Sequence, residues 1–160
     1  MNEYCFATVI YSGAEKYYDD FLSGIHSIPE FQDATFVIIR QGSVNIPQTD
    51  VALDVKVFDI DEKANIAAVR AFMFQCVRPL KTHAYYIFSD IDDRLVPQSF
   101  QNHKKALNKA DFSYGDINLY DEKLGHVYDK TLFEISKTPA AVEKIEDVLW
   151  AHFTGLSALA

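Results

Sequence analysis

Cysteine is scarce in this sequence of 160 residues: Cys5 and Cys76 stand far apart, in apolar surroundings and outside any CxxC pair. That excludes a disulfide framework, a zinc ribbon and a thioredoxin-like redox site. The six glycines contain neither GxGxxG nor GxxxxGK[ST], so the usual dinucleotide and P-loop signatures are missing. The five histidines show no HxxxH or HExxH spacing. Long apolar runs are also lacking: Thr35 to Ile39 and Ala84 to Phe88 are far too short to span a bilayer. No Lys/Arg-led apolar stretch opens the chain, so no signal peptide is visible, and a reduced, cytoplasmic protein is the expectation. Positive charge is in deficit, with 15 basic against 23 acidic residues and a net charge of −8. That balance argues against a general binder of nucleic acid or anionic membranes. An acidic protein that binds phosphates must offset the repulsion locally, with a metal ion or a buried arginine.

What is present is ample apolar material, 49% of residues, in a chain of one-domain size. Tyr4 to Tyr11 reads as a strand ending at Ser12 and Gly13. Ala14 to Ser27 carries apolar residues at helical spacing and is closed by Pro29. Thr35 to Ile39 is a second strand, cut off by Arg40-Gln41-Gly42-Ser43, and Val55 to Ile60 a third. Glu62 to Val77 reads as a helix apolar around most of its circumference, hence largely buried. Ala84 to Phe88 is a fourth strand, Pro97 opens a helix to about Lys109, and Phe112 to Tyr114 begins a fifth strand ending at Gly115-Asp116. Strands that are unbroken apolar runs, alternating with helices, predict a single α/β domain with a mostly parallel sheet covered on both faces. Beyond Gly125 the pattern gives a strand from Thr131 to Ile135 and a helix starting near Pro139. Val148 to Ala160 holds no Lys, Arg, Asp or Glu, so the chain is expected to continue in nature or to dock this segment.

In open α/β sheets, ligands bind at the carboxyl ends of the strands. Those ends carry Tyr11-Ser12-Gly13, Arg40-Gln41-Gly42-Ser43, Ser89-Asp90-Ile91-Asp92-Asp93 and Gly115-Asp116. Three carboxylates within four residues, straight after a buried strand, repel one another unless a cation holds them, and Mg²⁺ or Mn²⁺ on a diphosphate meets that need. The alternative is helix capping by the same aspartates before Leu95-Val96-Pro97. Arg70 sits in the apolar helix beside Ile66, Ala67, Met73 and Phe74 and must meet an anion, either a phosphate or one of the Asp90–Asp93 carboxylates. Tyr11 has a face that can stack on a nucleobase or simply pack. Tyr17 and Tyr18 read as the core face of a helix, and Cys5 and Cys76 as small buried hydrophobes.

Taken in order, these segments resemble the nucleotide-binding half of family 2 glycosyltransferases, inverting enzymes with the GT-A fold. The resemblance covers roughly residues 4 to 116. Tyr11-Ser12-Gly13 stands where the family has Tyr-Asn-Gly, and Arg40-Gln41-Gly42-Ser43 where it has Asp-Asp-Gly-Ser. Asn65 to Ala71 follows its Gly-x-x-x-Ala-Arg-Asn, and Tyr86 to Asp93 with Leu95 and Pro97 follows its DxD strand. Tyr114-Gly115-Asp116 matches a further strand end.

The resemblance implies a GT-A-like, Rossmann-like sheet, a nucleoside-diphosphate sugar as donor, and a glycan or lipid-linked hydroxyl as acceptor. It places Asp90 near the sugar and ribose, Asp92 with Asp90 on a Mn²⁺ or Mg²⁺ ion, Arg70 at the diphosphate and Tyr11 on the base, with Ser12 among the substrate-binding residues. The family's aspartate that accepts from uracil is here Gln41, whose amide can both accept and donate. The family's catalytic base lies in an acidic segment beyond this chain, and Glu146-Asp147 is not assigned to it. Peripheral membrane attachment through a further region stays open. Two other functions compete: a phosphohydrolase of the haloacid dehalogenase type with Asp90 as nucleophile, and a non-catalytic module whose aspartates merely cap a helix.

Overall fold

The computed structural model describes residues 3–47, 54–80, 83–93, 97–110, 112–113, 118–121, 126–131 and 158–159. Four parallel strands form its centre: β1 (Tyr4–Ile10), β2 (Thr35–Gln41), β3 (Asp54–Ile60) and β4 (Tyr85–Phe88). The six-stranded sheet has the order β3-β2-β1-β4-β8-β5, where β5 is Phe112–Ser113 and β8 is Ala158–Leu159. A separate antiparallel pair joins β6 (Asn118–Asp121) to β7 (His126–Thr131). The helices are α1 (Tyr18–His26), α2 (Ile66–Val77) and α3 (Pro97–Leu107). None of the described helices is long and apolar enough to cross a membrane.

Strand alternation sends successive side chains to opposite faces and so builds two cores. On one face Tyr4, Phe6 and Ile10 of β1 join Phe36, Ile38 and Ile87, roofed by Phe21, Leu22 and Ile25 of α1 and Phe100 of α3. Phe31, fully buried, is the hub of this layer, edge-on to Tyr4, Phe6 and Phe100 with ring centroids 5.0, 4.6 and 4.5 Å away. On the other face Cys5, Ala7, Val37, Ile39 and Phe88 meet Val69, Met73 and Val77 of α2.

The mostly parallel, two-sided α/β sheet is therefore present, with three differences in detail. The second strand does not stop at Ile39 but runs through Arg40 and Gln41, because both keep their ladder partners Asp59 and Ile60 on β3. Nor is α2 largely buried. It begins after Asn65, and one stripe, Val69, Met73 and Val77, carries its burial, while Ile66 is 54% exposed. A helix lying on one sheet face can bury only the side it turns to that sheet, so the apolar residues elsewhere on α2 are not evidence of a surrounding core. Likewise Cys76 is only partly buried, whereas Cys5 is fully so.

Of the apolar tail, only residues 158–159 are among those described. Ala158–Leu159 pairs antiparallel with β4 at Tyr86 and with β5 at Phe112, bridging two strands that would otherwise stand apart. The turn at Gly115-Asp116, the predicted strand beyond Thr131 and the helix near Pro139 lie outside the described residues. Thr131 itself ends β7, part of a hairpin that the apolar pattern did not predict.

Candidate functional site

The strand order 3-2-1-4 reverses direction at β1, so the crevice between the carboxyl ends of β1 and β4 is the topological switch point. Each element delivers its residues there for a local reason. Tyr11 follows the last residue of β1, and its carbonyl accepts from Ala14 N–H at 2.9 Å, closing a turn in which Gly13 has φ +90°. Only glycine adopts that φ readily. Tyr11 is 43% exposed at this turn.

Across the crevice, Ser89 N–H still donates to Ala7 O of β1 at 3.2 Å, so β4 holds its pairing to the point where the acidic loop begins. Asp93 N–H donates to Asp90 O at 3.0 Å and closes a turn over residues 90–93. Ile91 is 1% exposed and pins this turn to the core. The alternation Asp-Ile-Asp-Asp thus has a physical meaning: one side chain anchors the turn while three aspartates share the same short loop at a strand end. Burial pushes the Asp93 carboxyl up to about 7, helped by the charges of Asp90 and Asp92. Asp90 is raised too, first by burial and further by Asp92, with Arg70 pulling the other way.

Arg70 comes from the first turns of α2. Its Nη2 lies 3.7 Å from Asp90 Oδ2, and its side chain is only 12% exposed. The helix that presents it is started by Asn65, whose Oδ1 accepts from Ala68 N–H at 2.9 Å. Replacing Asn65 by alanine is expected to cost about 1 kcal/mol, seen as a lower midpoint in denaturant unfolding. An unchanged midpoint would show that the cap contributes nothing.

The structure thus brings Arg70 to Asp90 and places Tyr11 within the field of the same loop, since the charges of Asp92 and Asp90 add to burial in raising its hydroxyl pKa. Ser12 is exposed beside Tyr11. Arg40 is turned away to an ion pair: Nε lies 2.5 Å from Asp59 Oδ1, and Nη2 donates to Oδ2 at 3.0 Å. Gln41 donates its amide hydrogens to the backbone of the loop between β3 and α2, at Glu62 O and Ala64 O. Asp59, Glu62 and Ala64 escaped the sequence reading. Their involvement follows from the parallel register Arg40↔Asp59 and Gln41↔Ile60, which no local pattern encodes.

Among the described residues, no three His, Cys, Asp or Glu side chains gather so as to cage a metal by themselves. The aspartates of the 90–93 loop offer hard carboxylate oxygens of the kind that suits Mg²⁺ or Mn²⁺, and with fewer than three of them gathered a ligand and water would have to supply the rest. Burial is the first cause of the raised Asp90 and Asp93 carboxyls, and the neighbouring aspartates add to it.

No protein-family model matches the sequence, and no curated protein matches it. Solved structures do match in fold. S. aureus TarS 1–349 is 14% identical at a TM-score of 0.50, the match covering 67% of this chain and 32% of that one. S. aureus TarS 1–349 in complex with UDP-GlcNAc is 13% identical at a TM-score of 0.52, covering 67% and 31%. This chain spans about a third of the length of those proteins. At that identity the likeness establishes the fold, a GT-A-like sheet of Rossmann type, and no more.

Proposed function

We propose that this chain is the donor-binding part of a glycosyltransferase that moves a sugar from a nucleoside diphosphate to a hydroxyl acceptor on a glycan or a lipid-linked chain. The observation that carries the reading is the placement of Arg70 3.7 Å from Asp90, within a carboxylate loop at the switch point of the sheet. A guanidinium there binds phosphate oxygens, and the carboxylates hold the cation that an acidic protein needs beside a diphosphate. The matching of the fold to a protein seen in complex with UDP-GlcNAc supports a nucleotide-sugar as the ligand class.

In this reading Asp90 and Asp92 hold Mn²⁺ or Mg²⁺, and Asp90 also faces the sugar and ribose. Arg70 holds the diphosphate, while Tyr11 offers its exposed face to the base with Ser12 beside it. A cation held there would supply positive charge against the charge that grows on the departing diphosphate. The bond between the anomeric carbon and the diphosphate oxygen breaks, and the acceptor oxygen bonds to that carbon. The acceptor's proton leaves to a base that none of the residues named here supplies. The reaction is placed in the cytoplasm, with peripheral membrane attachment of the whole protein as the route to a lipid-linked acceptor.

Thermal unfolding with a panel of nucleoside diphosphates tests this, each with Mn²⁺ and with chelator. A ligand at a hundredfold over its Kd stabilises by about 2.7 kcal/mol. The expected result is a cation-dependent rise with at least one nucleotide, absent in Asp92→Ala. No rise with any nucleotide, or an equal rise in Asp92→Ala, sinks the proposal. Hydrolysis of a generic phosphate ester without such a rise would favour Asp90 as a nucleophile instead.

A further inference from the structure

One side chain from a neighbouring strand ties down the loop that leads into α2. Gln41 closes β2, and its Nε2 donates to Glu62 O at 3.1 Å and to Ala64 O at 2.8 Å. A primary amide has two N–H donors, so both are spent on this loop. Beside it, Gly42 N–H donates to Ile60 O at 3.1 Å, with φ +77°. A Cβ at that glycine would stand only 3.1 Å from Glu62 Cβ, so strand end and loop are in close contact. The loop passes straight into the Asn65 cap, and Arg70 follows in the second turn of α2.

We infer that Gln41 is a positioning residue, acting on the anion site through this loop and the first turn of α2 by fixing where Arg70 stands against Asp90. The inference rests on the reading that Arg70 and Asp90 face a nucleoside diphosphate. It assigns the work of Gln41 to its two donors. A role in reading the edge of a base would fall to the acceptor oxygen instead, which takes no hydrogen bond among the described residues. The two roles therefore separate by chemistry: ionised glutamate keeps the acceptor and loses the donors, lysine keeps donors and loses the acceptor, and methionine loses both.

The test measures, by calorimetry with Mn²⁺, the affinities of UDP, CDP and inorganic pyrophosphate for the wild-type chain and for Gln41→Glu, Gln41→Met and Gln41→Lys. Amide hydrogen exchange over Ile66 to Arg70 is followed in the ligand-free proteins, where no ligand charge intervenes. Loss of the donors is expected to weaken all three ligands by the same factor, about tenfold, and to speed exchange in the first turn of α2. Gln41→Lys should restore slow exchange, and the ratio of UDP to CDP affinity should stay constant across the series. In an Arg70→Ala background, Gln41→Met should weaken pyrophosphate no further, because the effect runs through Arg70.

A changed UDP to CDP ratio, or weaker UDP with undiminished pyrophosphate, overturns the inference and makes Gln41 a reader of the base. Unchanged exchange in Gln41→Met overturns it as well. Failure of the wild-type protein to bind any of the three ligands overturns the proposed function, and the effect on the anion site with it. The exchange measurement still decides whether Gln41 holds the loop.

Discussion

Asp93→Asn is expected to raise the thermal stability of the ligand-free protein, and to raise it more at pH 8 than at pH 5. Burial, together with the charges of Asp90 and Asp92, lifts this carboxyl to about 7 from its ordinary value of 3.8. Between those two values the folded chain therefore binds more protons than the unfolded one, and stability falls as pH rises through that window. Below about pH 4 the group is neutral in both states, and the variant should match the wild type. Above about pH 7 the wild-type chain carries the full cost of a buried charge beside two others, on the order of 2–4 kcal/mol. Asparagine keeps the shape and removes the charge. Unfolding midpoints of both proteins from pH 4 to pH 8 check this, and parallel curves would show that Asp93 is not held neutral by its surroundings.

The second large effect belongs to the core. Phe31 is fully buried and touches the rings of Tyr4, Phe6 and Phe100 edge-on. It sits in a 3₁₀ turn whose backbone cannot collapse inward, because Ile28 and Ala34 on either side are buried as well. Phe31→Ala is expected to cost about 3–5 kcal/mol, which for a domain of this size lowers the midpoint by roughly 10 °C or more. Val57→Ser, at a 42% exposed position on the edge strand β3, provides the contrast and should change stability by about 0.5 kcal/mol or less. Similar losses for the two would mean that the Phe31 cluster is not the centre of this layer.

How much of the site could be read beforehand differs residue by residue. Asp90, Asp92 and Asp93 announce themselves, since like charges straight after an apolar strand run against both repulsion and burial. Arg70 is equally legible: a guanidinium amid Ile66, Ala67, Met73 and Phe74 must find an anion, and the structure puts Asp90 at 3.7 Å. Arg40 and Gln41 were not legible. Their neighbours in sequence are glycine and serine, whereas their partners Asp59, Glu62 and Ala64 lie about twenty residues away across a strand pairing. The extent of burial of α2 was misread for a related reason. Composition states that a helix is apolar, but whether one stripe or the whole surface is covered depends on what else lies against it.

Local chemistry in the sequence alone determined the four central strands, the three helices, the mostly parallel character of the sheet and the location of the charged loop at a strand end. Those features follow from apolar periodicity, turn residues and the cost of crowding like charges, all of which act between near neighbours. Tertiary structure alone decided that β1 lies at the switch point, that the apolar Ala158–Leu159 segment bridges β4 and β5, and that Arg40 and Gln41 turn to β3 and its following loop. Each of these is a pairing across a long stretch of chain. Its register is set by which faces can be buried together, a property of the whole sheet and not of any one segment.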